Sequence, residues 1–299
     1  MKKIVVLLAS FVILTGLLAA QQPKPKLKVY ISADMEGIWG VVHGDQTSAE
    51  SPEYGPGCKW MTDDVNAVIA GLFEAGATEV VVNDAHGSQR NIIADALDPR
   101  ASLISGSPKP LSMMQGIDGT FQACLFIGYH AKAGTEAAVL DHTISGSVVY
   151  AVRVNGQEMP ELGLNGAIAG YFNVPVVMVS GDTTLCGQAK SILGAETVGV
   201  AVKDAVGRYA AKMVPRDDAR RMLKEGAKEA LLKRASMKPF MVQPPYRFEL
   251  EFHTSGQAEV AWLVPGVTRA DARTAAFSNN DYLEGFRLLR ALIALASGR

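Results

Sequence analysis

Cysteine is scarce in this chain, and the three present, Cys58, Cys124 and Cys186, are widely spaced. A disulfide scaffold is therefore excluded, and Cys124 inside the apolar run "ACLFIGY" reads as a packing thiol. An excess of one charge is missing too. The 29 basic and 30 acidic residues leave a formal net charge of −1, with no long basic run. Nucleic-acid binding needs a basic stripe, so no nucleic-acid partner is expected, and small polar or zwitterionic partners remain. No segment recurs at a fixed period, which removes solenoids. What is abundant is apolar side chain, 48% of the residues. That content is enough for one large or two modest globular domains and leaves little room for disorder.

Only one apolar run is long. Lys2 and Lys3 precede "IVVLLASFVILTGLLAA", which ends in Ala19 and Ala20. The run is short for a membrane span of about 20 residues, so residues 1–20 are expected to be a secretory signal peptide, with an uncleaved anchor as the alternative. No cysteine follows it, against a lipoprotein. Residues 21–26, opening "QQPKPK", read as a proline-punctuated leader. The expectation is an exported protein, periplasmic or secreted, without stable membrane association after cleavage.

Beyond the leader, short β-branched runs alternate with helical spacing. "LKVYISAD", "TEVVVNDAH", "ACLFIGYH", "VPVVMVSGD" and "ETVGVAVK" are strand candidates; "TDDVNAVIAGLFEAGA", "ELGLNGAIAGYFN" and Asp217 to Arg234 have helical periodicity. Alternation of this kind predicts an α/β fold with a mostly parallel sheet flanked by helices. The later segment "KPFMVQPPYRFELEFHTSGQAEVAWLVPGV" alternates apolar and polar residues, as a half-exposed antiparallel strand pair does, and Tyr282 to Ala296 forms a last amphipathic helix. These patterns predict an α/β domain over 27–203, the one that carries the polar strand ends taken up next, and a smaller C-terminal α+β domain over 204–299.

The strand candidates end in an unusual set of polar groups: Asp34 and Glu36, Asp84 and His86, His130, and Asp182. Ligands of open parallel sheets bind outside the carboxyl ends of the strands, so these side chains are expected to converge. Each has an ordinary reading alone. Asp84 and Asp182 suit helix caps, and Glu161 suits the positive end of its helix. Together they point to a cation, because two carboxylates at a buried strand end are costly without a counter-charge and no arginine lies in "SADMEG". A catalytic zinc commonly takes three protein ligands. Asp34, Glu36, His86, His130 and Glu161 are too many for one such site and one short of two; a bridging carboxylate resolves the count, and if Asp34 spans both ions each receives three ligands.

In order along the chain, "SADMEG", "VNDAH", "GYHA", "DHT", "ELGLN", "VMVSGD", "SGQAEVAW" and "DYLEGFRLL" resemble the motifs of the D-aminopeptidase (DppA) family, the zinc peptidases of family M55. The resemblance runs from about Lys26 onward. It implies two Zn2+ per chain, one held by Asp34, Glu36 and His86 and the other by Asp34, His130 and Glu161. It also implies an active-site role for His142, the histidine of "DHT", as stabiliser, proton carrier or nucleophile. The implied activity is an aminopeptidase cleaving short peptides with an N-terminal D-residue, in a ring-like homo-oligomer. Spacing around "DHT" is slightly longer than the family pattern, which bears on pocket shape. An amidase or esterase on another small substrate, or a secreted metal-binding protein without turnover, remains open.

Overall fold

The computed structural model describes residues 26–298, so the expected signal peptide and nearly all of the leader lie outside the described residues. The chain runs β1 (Lys28–Ala33), α1 (Tyr54–Glu74), β2 (Glu79–Asp84), β3 (Ala101–Ile104), β4 (Ala123–Ile127), β5 (Val149–Val154), β6 (Gln157–Glu158), α2 (Glu161–Tyr171), β7 (Val176–Asp182), α3 (Thr183–Leu193), β8 (Val198–Gly207), β9 (Ala210–Met213), α4 (Arg216–Lys233), β10 (Tyr246–Phe252), α5 (Ser255–Trp262), β11 (Thr268–Arg269), β12 (Thr274–Asn279) and α6 (Tyr282–Ser297).

The strands form two sheets. The larger has seven, in the order β3-β2-β1-β4-β7-β8-β9, parallel throughout except for the antiparallel β8–β9 hairpin. The smaller has five, β11-β12-β10-β5-β6, all antiparallel. This is the expected α/β architecture. Alternation along β1 shows how one strand serves both faces: Val29, Ile31 and Ala33 join the core under α1 and α4, while Tyr30 joins the core shared with α2, α6 and the smaller sheet. All three cysteines are buried and free.

Two expectations differ from the structure. The boundary at 203/204 does not follow the sheets, because β5 and β6 pair into the smaller sheet while β9 and α4 belong with the larger one. Pairing of β5 with β10 spans about a hundred residues and leaves no local trace. Likewise the expected strand pair contains one strand only. "SGQAEVAW" is helix α5, opened by a capping box in which the Thr254 hydroxyl accepts from Gln257 N and the Gln257 side chain accepts from Thr254 N. That reciprocal cap outweighs the alternating pattern, and the neighbours of β10 are β5 and β12. Among the described residues, no helix is long and apolar enough to cross a membrane.

The order of the larger sheet fixes where a ligand can sit. From β1 the chain moves outward to β2 and β3, then returns to place β4 on the other side of β1. The crevice at this reversal opens at the carboxyl ends of β1 and β4. Asp34 and His130 follow those ends.

Candidate metal centre

Asp34 continues from β1 through its N–H, which donates to Ile127 O at 2.8 Å. The next turn returns towards β4, where Gly37 N donates to Gly128 O at 2.7 Å. The approach is tight enough that a Cβ on Gly37 would fall 2.0 Å from Tyr129 O. A Cβ on Gly128, whose φ is +72°, would likewise fall 2.3 Å from Asp34 O. Paired glycines therefore press the acidic turn after β1 against the segment leading to His130.

His86 follows β2, its loop braced by Asp84, whose carboxylate accepts from Asn91 N at 2.6 Å and Ile92 N at 2.7 Å. Asn91 in turn donates to His86 O. Asp182 is also structural, capping α3 through Leu185 N and accepting from Val139 N. Neither of these two strand-end acids enters the centre. Glu161 opens α2, its Oε1 accepting from Ile144 N at 2.5 Å. His142 lies between β4 and β5 with its ring stacked on His130, centroids 3.9 Å apart.

The side chains meet in two groups, Asp34, Glu36 and His86 in one and His130, His142 and Glu161 in the other, with candidate ligand atoms within 4.8 Å in each. Asp34 joins them. Its Oδ1 lies 3.2 Å from His86 Nδ1 and its Oδ2 lies 3.5 Å from His130 Nε2. His86 Nδ1 is 3.0 Å from Glu36 Oε2, His130 Nε2 is 3.2 Å from Glu161 Oε1, and His142 Nε2 is 3.6 Å from the same oxygen. All six sequence-derived residues thus stand in one crevice.

The hydrogen bonds behind the histidines say what the centre suits. Each imidazole has one nitrogen on a backbone carbonyl: His86 Nε2 on Thr47 O at 3.0 Å, His130 Nδ1 on Ala131 O at 3.0 Å, and His142 Nδ1 on Leu140 O at 2.9 Å. A carbonyl only accepts, so that nitrogen carries the proton, and in the neutral ring the other nitrogen directs a lone pair at the carboxylates. Lone pair facing anion is unfavourable without a positive charge between them. Backbone support of the distal nitrogen is also how metal-binding histidines are oriented. Asp34 Oδ2 and His130 Nε2 are buried without a hydrogen-bond partner. This donor set of imidazole and carboxylate fits zinc.

The electrostatics of the centre carry the same frustration. Burial, then the neighbouring Glu36 charge, pushes Asp34 up to about 7. Burial opposes the charged form of Glu36 and Glu161 as well, but His86 holds Glu36 well below the carboxylate range and His130 holds Glu161 at about 2. Against their own burial, Glu36 raises His86 and Glu161 raises His130, the latter to about 10. His142 moves down, through burial and the charge on His130 beside it. With protons alone, positive charge is drawn onto the two histidines that flank Asp34.

Sequence reading missed Lys203, which is fully buried in β8. Its Nζ donates to Glu36 O at 2.6 Å, Ile38 O at 2.9 Å and Val41 O at 2.5 Å, pinning the acidic turn from behind. A lysine closing the apolar run "VGVAV" was the available signal. Arg290 of α6 was missed as well. It lines a cavity of about 150 Å³ with Asp34, His86, His142 and Glu161. A second cavity, of about 430 Å³, reaches His142 from the side of Lys132, Tyr150 and Arg208.

Comparison with known proteins meets this geometry. The family model of the M55 peptidases, described as D-aminopeptidase, matches residues 27–291. A D-aminopeptidase of Bacillus subtilis (strain 168) is 38% identical over 276 residues, 90% of this chain and 98% of that protein. A solved structure, described as the Zn-dependent D-aminopeptidase DppA from Bacillus subtilis, a self-compartmentalizing protease, superposes with a TM-score of 0.89 at 36% identity. It covers 91% of this chain and 99% of that one. These relatives correct the expectation of an exported protein. The family match begins at residue 27, past the apolar run on which export rested, and that run lies outside the described residues. The flanking lysines, the run and its closing alanines were together too weak a signal.

Proposed function

Because the chain belongs to the D-aminopeptidase family of zinc peptidases, we propose that it binds two Zn2+ ions bridged by Asp34 and hydrolyses short peptides that begin with a D-residue. One observation carries the two-ion reading: the two oxygens of Asp34 face different histidines, His86 and His130, each of which also faces a carboxylate of its own. Asp34, Glu36 and His86 would hold one ion, and Asp34, His130 and Glu161 the other. Zinc bound there supplies a Lewis acid that polarises the scissile carbonyl and makes water nucleophilic at neutral pH. Support for D-selectivity and for a homo-oligomer comes from the names of the relatives, an aminopeptidase of D-residues and a self-compartmentalizing protease.

The residues of the chain have separable tasks in this reading. Hydrolysis adds water to the carbonyl carbon, breaks the C–N bond and sends the amine away with a proton. His142 Nε2 carries a lone pair because Nδ1 donates to Leu140 O, so it can take a proton from water and return one to the leaving amine. When protonated, the same atom can donate to the oxyanion. Ile144 N holds Glu161 Oε1 beside His130 and His142.

The test is metal analysis of the purified chain with turnover of matched D- and L-aminoacyl peptides and esters. Two zinc per chain with preferred cleavage of D-peptides is expected. Loading of one ion at saturation would remove the bridged centre, and equal turnover of L-peptides or faster turnover of esters would change the substrate.

A further inference from the structure

Arg290 is the cation of the crevice that the proposed centre does not use. It sits on α6, in the layer that packs on the Tyr30 face of the larger sheet, and lines the metal-centre cavity together with Asp34 and His86. The same side chain borders an outer groove of about 590 Å³ formed by Ser107, Pro108, Pro110, Ala291 and Ala294. It therefore stands at the passage between the groove and the centre. The other cations of the groove are engaged: Lys109 donates to Asn83 Oδ1 and Asp84 O, and Arg287 pairs with Glu284. Arg290 makes no ion pair among the described residues. It feels the charge of Glu161 but forms no hydrogen bond with it, and burial depresses its pKa.

Its half-buried guanidinium presents a planar fork of donors that matches a carboxylate in two parallel hydrogen bonds. Glu161 is occupied by His130 and Ile144 N. With Glu161 so engaged, the guanidinium fork on the cavity wall is open to a carboxylate from outside. A short peptide whose scissile carbonyl lies at the centre carries such an anion one or two residues further on, at its C-terminus. We propose that Arg290 binds the free C-terminal carboxylate of the substrate, so that the enzyme acts on peptides of two or three residues and selects them by that terminus. The inference rests on the peptidase reading above and adds a second anchor to it. Length selection then arises inside each active site, from the reach between the centre and Arg290 across their shared cavity.

The experiment compares D-alanylglycine with its C-terminal amide in the zinc-loaded wild type and in Arg290→Gln and Arg290→Lys, with zinc content measured for each. The wild type is expected to favour the free acid by about tenfold to a hundredfold in kcat/KM, the range of a charge-assisted hydrogen-bond pair. In Arg290→Gln that preference collapses towards unity, chiefly through KM of the acid, with zinc content kept. Arg290→Lys restores part of it. A wild type indifferent to amidation, or a Gln variant that keeps the preference, overturns the subsite while leaving the peptidase standing. Equal losses on both substrates with lowered zinc content would make Arg290 a structural support of Glu161 and also overturn it. Failure of the wild type to cleave either compound would remove the peptidase reading and the subsite with it.

Discussion

The two halves of the candidate centre are built by different means. Asp34, Glu36 and His86 come from the ends of adjacent parallel strands, and Lys203 ties their turn to three carbonyls from behind. His130, His142 and Glu161 come from the end of β4, a long connection and the first turn of α2. That connection holds Ala137, Leu140 and Ile144 at positive φ, a conformation unfavourable for residues with a Cβ. The first half is set by sheet register and a buried lysine. The second is set by loop conformation, with two histidines to one acid where the first has two acids to one histidine. A site can thus be symmetric in geometry while its halves depend on unlike parts of the fold.

Removing the shared residue breaks the comparison most completely. Asp34→Ala is expected to lower zinc from about two per chain to near none and to abolish turnover, read by elemental analysis and steady-state kinetics. Retention of one tightly held ion would mean that the halves are independent. His142→Ala is next. It should reduce kcat by about 10²-fold or more with zinc content intact, whereas loss of close to one ion would make His142 a ligand of the second half, as its distance to Glu161 permits.

Lys203→Met probes the first half alone. Three carbonyls left without their donor should cost about 2–5 kcal/mol of stability, and zinc affinity should fall about tenfold to a hundredfold for one ion. A melting curve and competition with a chelator separate these effects, and an equal loss at both ions would show that Lys203 supports the whole sheet edge. The smallest effect lies far from the crevice. Thr254→Ala removes one member of the α5 capping box and should cost about 1 kcal/mol, leaving zinc content and turnover as they were.

Legibility in the sequence followed the range of the interactions. Strands β1, β2, β4 and β7 are β-branched runs that end in polar residues, so both the parallel sheet and the side chains at its rim could be located one by one. Glu161 was visible as an acid at a helix start. Lys203 was not, because the carbonyls it binds lie more than 160 positions earlier and no local pattern announces them. The partition of the strands was hidden for the same reason: β5 looks like any other short strand until it meets β10. In α5 the error was local, an alternating pattern weighed above a capping box that stood in the letters "TSGQ".

The contact between Gly37 and Gly128 makes the separation of the two halves a property of the main chain. It acts as a gauge. Exchanging an imidazole for a carboxylate at the rim can change which cation is preferred and how strongly it is held, but the spacing between the halves is unaffected. Only a bulkier residue at either glycine resets that spacing, and no adjustment of nearby rotamers relieves it, because the obstacle is a carbonyl of the opposing strand end.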